Sequence, residues 1–194
     1  MAGPIVLHRR SLVMALTSMA AGCAEPSPYV LMPVPGAMLT GAPMTVLIRG
    51  VMLSQIPRQP AIIGASLLPP PPTPATVWWA EPLSAMIARV LAQDLTQRLP
   101  GTRMIVALEP PFPASDTWID LSVERFDTNR QGDVLVVAVV QVAGLRLLTR
   151  SAWKQITPAN GSAQALVAAL SIALGALADH VAALVVESWA VPRR

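Results

Sequence analysis

Between positions 83 and 99, apolar residues recur every three or four positions, which places them on one face of a helix. The members of this apolar face are Leu83, Met86, Ile87, Val90, Leu91 and Leu95. Polar residues occupy another face of the same segment, at Arg89, Gln93 and Gln97. Pro82 suits the first turn because its φ is fixed, and Pro100-Gly101 ends the helix.

Several other segments carry the alternating or continuous apolar pattern of β-strands. In Thr117–Phe126 the apolar side chains of Ile119, Leu121 and Val123 alternate with polar ones, which predicts a strand with one solvated face. Val134–Val142 is almost entirely aliphatic, as a central strand would be. Further strands are predicted at Thr45–Leu53, Ala61–Ile63, Arg103–Leu108 and Leu145–Ile156, with Ala143-Gly144 as the turn before the last.

A second helix is predicted over Ser162–Ser188. Its apolar stripe consists of Leu166, Leu170, Leu174, Leu177, Val181 and Leu184. The uncharged run within it is too short to cross a bilayer, and Asp179-His180 interrupts it, so we interpret the segment as a core helix.

The predicted order of elements is β-β-α-β-β-β-β-α, which favours an α+β fold. We expect a mixed, mainly antiparallel sheet with two helices packed on one face. The connection from Ile63 through the first helix to Met104 is predicted to be a right-handed crossover between parallel strands.

The start of the chain resembles an export signal ending in a bacterial lipobox. Basic residues precede an apolar run from Leu12 to Met19, and small residues lead to Cys23. Cys23 is the only cysteine, so it has no disulfide partner within the chain, and lipid attachment explains a lone thiol in an exported protein. We therefore predict a signal peptide at 1–22 and a lipid on Cys23; a plain signal peptide is the alternative. Ala24 follows the cysteine where an aspartate would favour inner-membrane retention, which points to the outer membrane.

Prolines and small residues dominate the sequence after the cysteine. Residues 23–43 are predicted to form an extended tether, and residues 44–190 a single domain. Four consecutive prolines at 69–72 predict an exposed loop before the first helix.

Composition argues against several function classes. Removing Arg9 and Arg10 with the signal lowers the formal net charge from +3 to +1, and no basic stripe indicates nucleic-acid binding. His180 is the only histidine after the signal, and we interpret it as a solvated or capping residue. Because phosphate-binding loops and zinc-ligand patterns are missing from the sequence, we predict no enzyme activity, no metal and no cofactor besides the lipid.

Several stretches together resemble the ABC-type transport auxiliary lipoproteins of the PqiC/YmbA kind. The most specific is Trp79-Ala80-Glu81-Pro82-Leu83 at the start of a helix. The lipobox-like start, the Ile56–Ile63 stretch, the Asp120–Phe126 strand, Trp153 and Ala169-Leu170-Ser171 also match. The chain departs from the family at Trp78, where arginine is common, and in the proline insert before it.

The resemblance implies an accessory subunit of an MCE-type intermembrane lipid transport system that supports envelope integrity. It implies an outer-membrane lipoprotein facing the periplasm, docked on an MCE partner, with self-association left open. Trp78, Trp79, Glu81 and Pro82 are the candidate docking residues, and we expect Trp79 to face the core and Trp78 the solvent. The alternative is a stand-alone envelope lipoprotein that binds a hydrophobic ligand between sheet and helices.

Overall fold

A computed structural model describes residues 28–41, 44–54, 62–63, 75–76, 79–144, 148–159 and 162–190. Within these residues the chain forms seven strands and two helices. Their bounds are β1 (Thr45–Leu53), β2 (Ile62–Ile63), β3 (Ala75–Thr76), α1 (Leu83–Arg98), β4 (Arg103–Val106), β5 (Thr117–Thr128), β6 (Val134–Gly144), β7 (Leu148–Thr157) and α2 (Ala163–Ala190).

Five strands form one mixed sheet in the order β4-β1-β5-β6-β7. β1 is parallel to both β4 and β5, whereas the β5–β6 and β6–β7 pairs are antiparallel. α1 packs on β1 and β4, α2 packs on β6 and β7, and the two helices contact each other. The predicted fold class, a mainly antiparallel α+β sheet with two helices on it, is confirmed.

Alternation along the strands places the apolar core between sheet and helices. In β5 the side chains of Ile119, Leu121 and Val123 are buried, as predicted. In α1 five of the six predicted apolar-face residues are fully buried and Leu83 is partly buried. α2 is long and apolar enough to cross a membrane by length and composition, yet 67% of its most apolar window is buried inside the protein.

Two predicted details of the sheet are wrong. Ile62–Ile63 pairs with Ala75–Thr76 in a separate two-stranded sheet, so the parallel crossover through α1 joins β1 to β4. β6 continues through Ala143-Gly144, which pair with the first residues of β5 and β7 and do not form the turn. Both errors have the same origin, because short apolar segments and small residues do not specify which strand they pair with.

The segment predicted as an extended tether is docked on the helices over its described part. Residues 28–41, hereafter the strap, have no regular secondary structure apart from one bridge between Tyr29 and Trp79. Leu31 in the strap is nevertheless 0% exposed. Composition correctly indicates a segment without regular secondary structure. It does not indicate that the apolar residues between the prolines pack against the helices of the same chain.

Candidate functional site

The strap lies in the groove between α1 and α2. The backbone N–H of Leu31 donates a hydrogen bond to the sulfur of Met86 in α1 at 3.1 Å. The next N–H, that of Met32, donates to Oγ of Ser171 in α2 at 3.1 Å. Adjacent strap residues therefore reach opposite walls of the groove, and the strap joins the two helices.

A buried ion network fixes the middle of the strap. The N–H of Val34 donates to Oδ1 of Asp94 at 2.8 Å, and the carbonyl of Val34 accepts from Nη1 of Arg98 at 3.0 Å. Asp94 is 0% and Arg98 1% exposed. Nε of Arg98 donates to Asp179 of α2 at 2.6 Å, and Nη2 donates to the carbonyl of Gly175 at 3.0 Å. One guanidinium thus bonds the strap and both helices.

Two glycines allow the strap to approach this closely. A Cβ on Gly36 would overlap the guanidinium of Arg98. A Cβ on Gly175 of α2 would lie 2.7 Å from Cβ of Val34, closer than such atoms approach in proteins. The strap can therefore pack this closely only because Gly36 and Gly175 have no side chains.

The order of the contacts gives the direction of the strap. From its N-terminal end, the strap contacts α1 at Met86, then at Asp94 and finally at Arg98, whose carbonyl accepts from the N–H of Leu39 at 2.7 Å. The contacts on α2 follow in the same order, first at Ser171 with Met32 and then at Gly175 with Val34. The strap therefore runs in the same direction along both helices, with its N-terminal end beside the start of α1.

That start is the tryptophan corner singled out in the sequence. Trp79 is partly buried against the core and pairs with Tyr29 of the strap, and the N–H of Ala80 donates to the Tyr29 carbonyl at 3.1 Å. Glu81 accepts from Arg89 of α1 at 2.6 Å. Pro82 is exposed, and its carbonyl accepts the first helical hydrogen bond, from Met86.

Trp79 thus faces the core side, as expected, whereas Trp78 and Cys23 lie outside the described residues. The partners found for Trp79 and Glu81 belong to the chain itself. The role of Trp78, Trp79, Glu81 and Pro82 in docking another protein remains a prediction.

The carboxyl of Asp94 in the groove has a shifted pKa. Burial raises the pKa of Asp94 above its ordinary value of 3.8, because the charged form loses its hydration. The Val34 N–H and the charge of Arg98 lower that pKa, and the charge of Asp179 raises it. Oδ2 of Asp94 is buried and has no hydrogen-bond partner among the described residues, which is consistent with burial as the largest effect.

Asp94→Asn is expected to become increasingly stable relative to the wild type as pH rises from about 3.8. Because the folded state holds the Asp94 proton more tightly than the unfolded chain does, its contribution to stability is complete below pH 3.8 and is lost as pH rises through the folded pKa. The asparagine side chain keeps an oxygen that accepts from the Val34 N–H, but it does not titrate, so the variant does not lose this stability as pH rises.

Urea unfolding at a series of pH values measures this difference in the free energy of unfolding. The difference should become constant above the folded pKa. Glu187→Gln, on the exposed side of α2, is the matched control for the removal of a carboxylate from a helix. A difference between Asp94→Asn and the wild type that shrinks with rising pH would contradict the interpretation.

The structure also places His180 of α2 beside Ser151 of β7. Nε2 of His180 and Oγ of Ser151 are 2.8 Å apart, so His180 bonds to the sheet and is not the solvated or capping residue predicted. A serine–histidine pair is part of a hydrolase site, but the neighbouring Asp179 bonds to Arg98. Among the residues described, the pair therefore has no carboxylate to orient the imidazole, and no cluster of metal-binding side chains occurs.

Sequence reasoning missed the groove, although α1 and α2 carry a signal for it. Asp94 and Arg98 are four positions apart on a helix whose other buried positions are apolar. Ser171 and Gly175 interrupt the apolar stripe of α2 at the same spacing. Charged residues on one buried face and small residues on the facing one indicate that a polar backbone segment is bound between them.

Comparison with protein families gives one match. Residues 75–182, more than half of the chain, match the model of the family described as the ABC-type transport auxiliary lipoprotein component. The resemblance inferred from the tryptophan corner is thereby confirmed. No curated protein matches the chain in sequence.

The solved structures to which this chain is similar are distant in sequence. A crystal structure of an uncharacterized protein is 18% identical with a TM-score of 0.56, and the match covers 79% of this chain and 99% of that one. The protein XCC0632 from Xanthomonas campestris is 15% identical with a TM-score of 0.56, over 83% and 94% of the two chains. A dodecamer of a PelC variant from Paraburkholderia phytofirmans is 13% identical with a TM-score of 0.39, over 81% and 94%.

Proposed function

The chain belongs to the ABC-type transport auxiliary lipoprotein component family, and from that membership we propose that it is a lipid-anchored accessory subunit of an MCE-type intermembrane lipid transport system. As an auxiliary lipoprotein of ABC-type transport, it is held at a membrane of the envelope. We propose that the membrane is the outer one, that Cys23 carries the lipid, and that the domain docks on a periplasmic MCE protein and supports envelope integrity.

The docked strap is the observation that supports an anchoring role for the N-terminal segment. Pro28, where the described strap begins, is only five positions after Cys23. An extended chain spans at most about 3.5 Å per residue, so the lipid lies within about 17 Å of the domain while the strap is docked. The start of α1, with Trp79 and Pro82, is therefore the part of the domain nearest the membrane.

The packing between sheet and helices favours the transport role over direct ligand binding. Leu91 of α1, Leu121 of β5 and Leu170 of α2 meet in this layer and are fully or almost fully buried. Apolar side chains of the protein occupy the position where the alternative, a stand-alone lipoprotein, would hold its hydrophobic ligand. Catalysis is not part of the proposal, since the family is one of transport auxiliaries.

Cys23→Ala is expected to release the protein from the membrane fraction completely, because the lipid is the proposed anchor. Fractionation of envelopes followed by detection of the chain measures this release. Ala24→Asp is the matched variant, which should stay membrane-bound but move from the outer to the inner membrane. A Cys23→Ala protein that remains in the membrane fraction would contradict lipid attachment at this residue.

Purification of the tagged wild-type chain from solubilised envelopes tests the partner. Mass spectrometry is expected to identify an MCE-domain protein in the eluate, and an eluate without one would contradict the transport assignment. The Cys23→Ala protein, purified from the soluble fraction, shows whether docking depends on the anchor.

A further inference from the structure

β7 is a long edge strand whose outer side has no partner in the described part of the chain. It is the last strand in the sheet order β4-β1-β5-β6-β7. Its ten residues pair with β6 in one continuous register, with no bulge and no proline. Natural edge strands are commonly short, bulged, interrupted by proline or provided with charged side chains, which hinders another strand from adding to them. β7 is long and has neither a bulge nor a proline, so its protection consists of two basic side chains, Arg150 and Lys154, which do not repel an acidic strand. The opposite edge strand, β4, has only four residues.

The side chains of β7 divide cleanly between the two faces of the sheet. Ser151 and Trp153 face α2, where Ser151 bonds to His180 and Trp153 packs against the core. The alternate residues are exposed on the other face, and they are Leu148, Arg150, Ala152, Lys154 and Ile156. Leu148 is 64% and Ile156 47% exposed. The edge therefore offers apolar and basic side chains in strict alternation, on a strand that α2 holds in place.

The two basic residues have no acidic partner within the described structure. Arg150 lies opposite Gln141 of β6, and Lys154 lies opposite Val137. β6 contains no charged residue, and Arg150 and Lys154 take part in none of the ion pairs formed by the described residues. By contrast Arg49 and Arg125, on β1 and β5, each pair with an aspartate. Among the described strands of the sheet, β7 alone carries two basic residues outside these ion pairs, and β4 carries one, Arg103.

We propose that the β7 edge binds an extended acidic segment of a partner protein as an additional strand. Backbone hydrogen bonds would extend the sheet, and cross-strand pairs would select the sequence. Arg150 and Lys154 are four residues apart, about 13 Å along a strand, so the segment needs two carboxylates at the same spacing. Apolar residues of that segment would lie opposite Leu148 and Ile156.

A second copy of the chain is disfavoured as the occupant. Two β7 strands paired antiparallel about Ala152 or about Trp153 overlap over nine residues. The first register places Arg150 opposite Lys154 of the other copy twice, and the second places Lys154 diagonally next to Arg150 and Lys154 of the other copy. Like charges directly opposite each other destabilise a strand pair. The same two residues that attract an acidic strand therefore oppose self-association.

Binding of two designed peptides to the full-length chain tests the proposal. Both are ten-residue strands of threonine and valine that differ only at two positions four apart, which carry glutamate in one peptide and lysine in the other. By fluorescence anisotropy, the wild type is expected to bind the glutamate peptide at least tenfold more tightly, and less tightly at high salt. Arg150→Glu/Lys154→Glu should invert the preference.

Arg103→Glu/Arg130→Glu is the matched control, because it changes the net charge equally at exposed positions away from β7. This control should keep the wild-type preference. Equal binding of the two peptides, or no effect of reversing the charges on β7, would overturn the proposal. If the wild type sediments as a dimer and Arg150→Glu/Lys154→Glu sediments as a monomer, a second copy of the chain occupies the β7 edge. That result would overturn the proposal of an acidic partner.

The inference rests on the proposed function only for the identity of the partner. The amount of MCE-domain protein recovered from envelopes should fall at least tenfold with Arg150→Glu/Lys154→Glu and stay unchanged with Arg103→Glu/Arg130→Glu. Both variants should remain in the membrane fraction. Equal recovery would overturn the β7 assignment and leave the transport role standing. If the wild type recovers no MCE-domain protein, the transport role fails and the peptide experiment still decides the assignment of β7.

Discussion

Arg98→Ala is expected to lower the free energy of unfolding by about 3–5 kcal/mol, the usual cost of removing one partner from a buried charged pair. The side chain is 1% exposed and donates to Asp179 and to the carbonyls of Val34, Asp94 and Gly175. Its removal leaves these acceptors without their donor and Asp94 without its nearest positive charge. Urea unfolding, followed by tryptophan fluorescence, measures the change.

Arg89→Ala is the control for the loss of an arginine from the same helix. Arg89 also pairs with a carboxylate, that of Glu81, but both side chains are at least one-third exposed. Because solvent screens such a pair, we expect a loss below about 1 kcal/mol. Similar losses in the two variants would contradict the assignment of Arg98 as the residue that stabilises the groove.

Arg98→Ala should also free the strap before the domain unfolds. The strap contains no lysine or arginine, but it offers Tyr29 and Leu39 to chymotrypsin. We expect cleavage within residues 28–41 to accelerate at least tenfold at urea concentrations where the tryptophan signal is still native. Unchanged cleavage would show that the strap is held without the Arg98 network.

Gly36→Ala is expected to destabilise the protein by about 1–3 kcal/mol, which is typical of overpacking. The new methyl group would overlap the Arg98 guanidinium, which four hydrogen bonds hold in place. Either the strap moves away from the groove or Arg98 leaves its acceptors. Urea unfolding and chymotrypsin cleavage detect both outcomes.

A double-mutant cycle separates this overlap from a general effect of alanine in the strap. In the Arg98→Ala background the guanidinium is gone, so Gly36→Ala should cost less than about 0.5 kcal/mol. Ala37→Ser adds one atom at the neighbouring exposed position and should also be nearly neutral. Equal costs of Gly36→Ala in the two backgrounds would contradict the contact.

Sequence periodicity was sufficient to predict the elements that bury one face and to identify the residues on that face. In α1 the three- and four-residue spacing correctly identified Met86, Ile87 and Leu91 as buried. In β5 the two-residue spacing correctly identified Ile119 and Leu121. Both patterns are local, so no knowledge of the rest of the chain was required.

The strap and the pairing of Ile62–Ile63 could not be predicted in this way. The strap has no periodicity, because most of its backbone hydrogen bonds join it to side chains of α1 and α2 and not to a neighbouring strand. Ile62–Ile63 pairs with the two residues on the far side of the proline run, a choice that two apolar residues do not encode. The tryptophan corner was identified by its resemblance to a family, whereas its contact with Tyr29 depends on the strap.

The docked strap also has a consequence for the order in which the molecule is made. Its contact between Met32 and Ser171 joins residues 139 positions apart, and α2 is the last element of the fold. Chains are synthesised from the N-terminus, so the groove that binds the strap is incomplete until almost the whole chain has emerged. Residues 28–41 therefore stay accessible until α2 has emerged, and an enzyme that carried out the lipid attachment proposed at Cys23 before that point would meet an undocked segment. Docking of the strap is accordingly a late step in the folding of the chain.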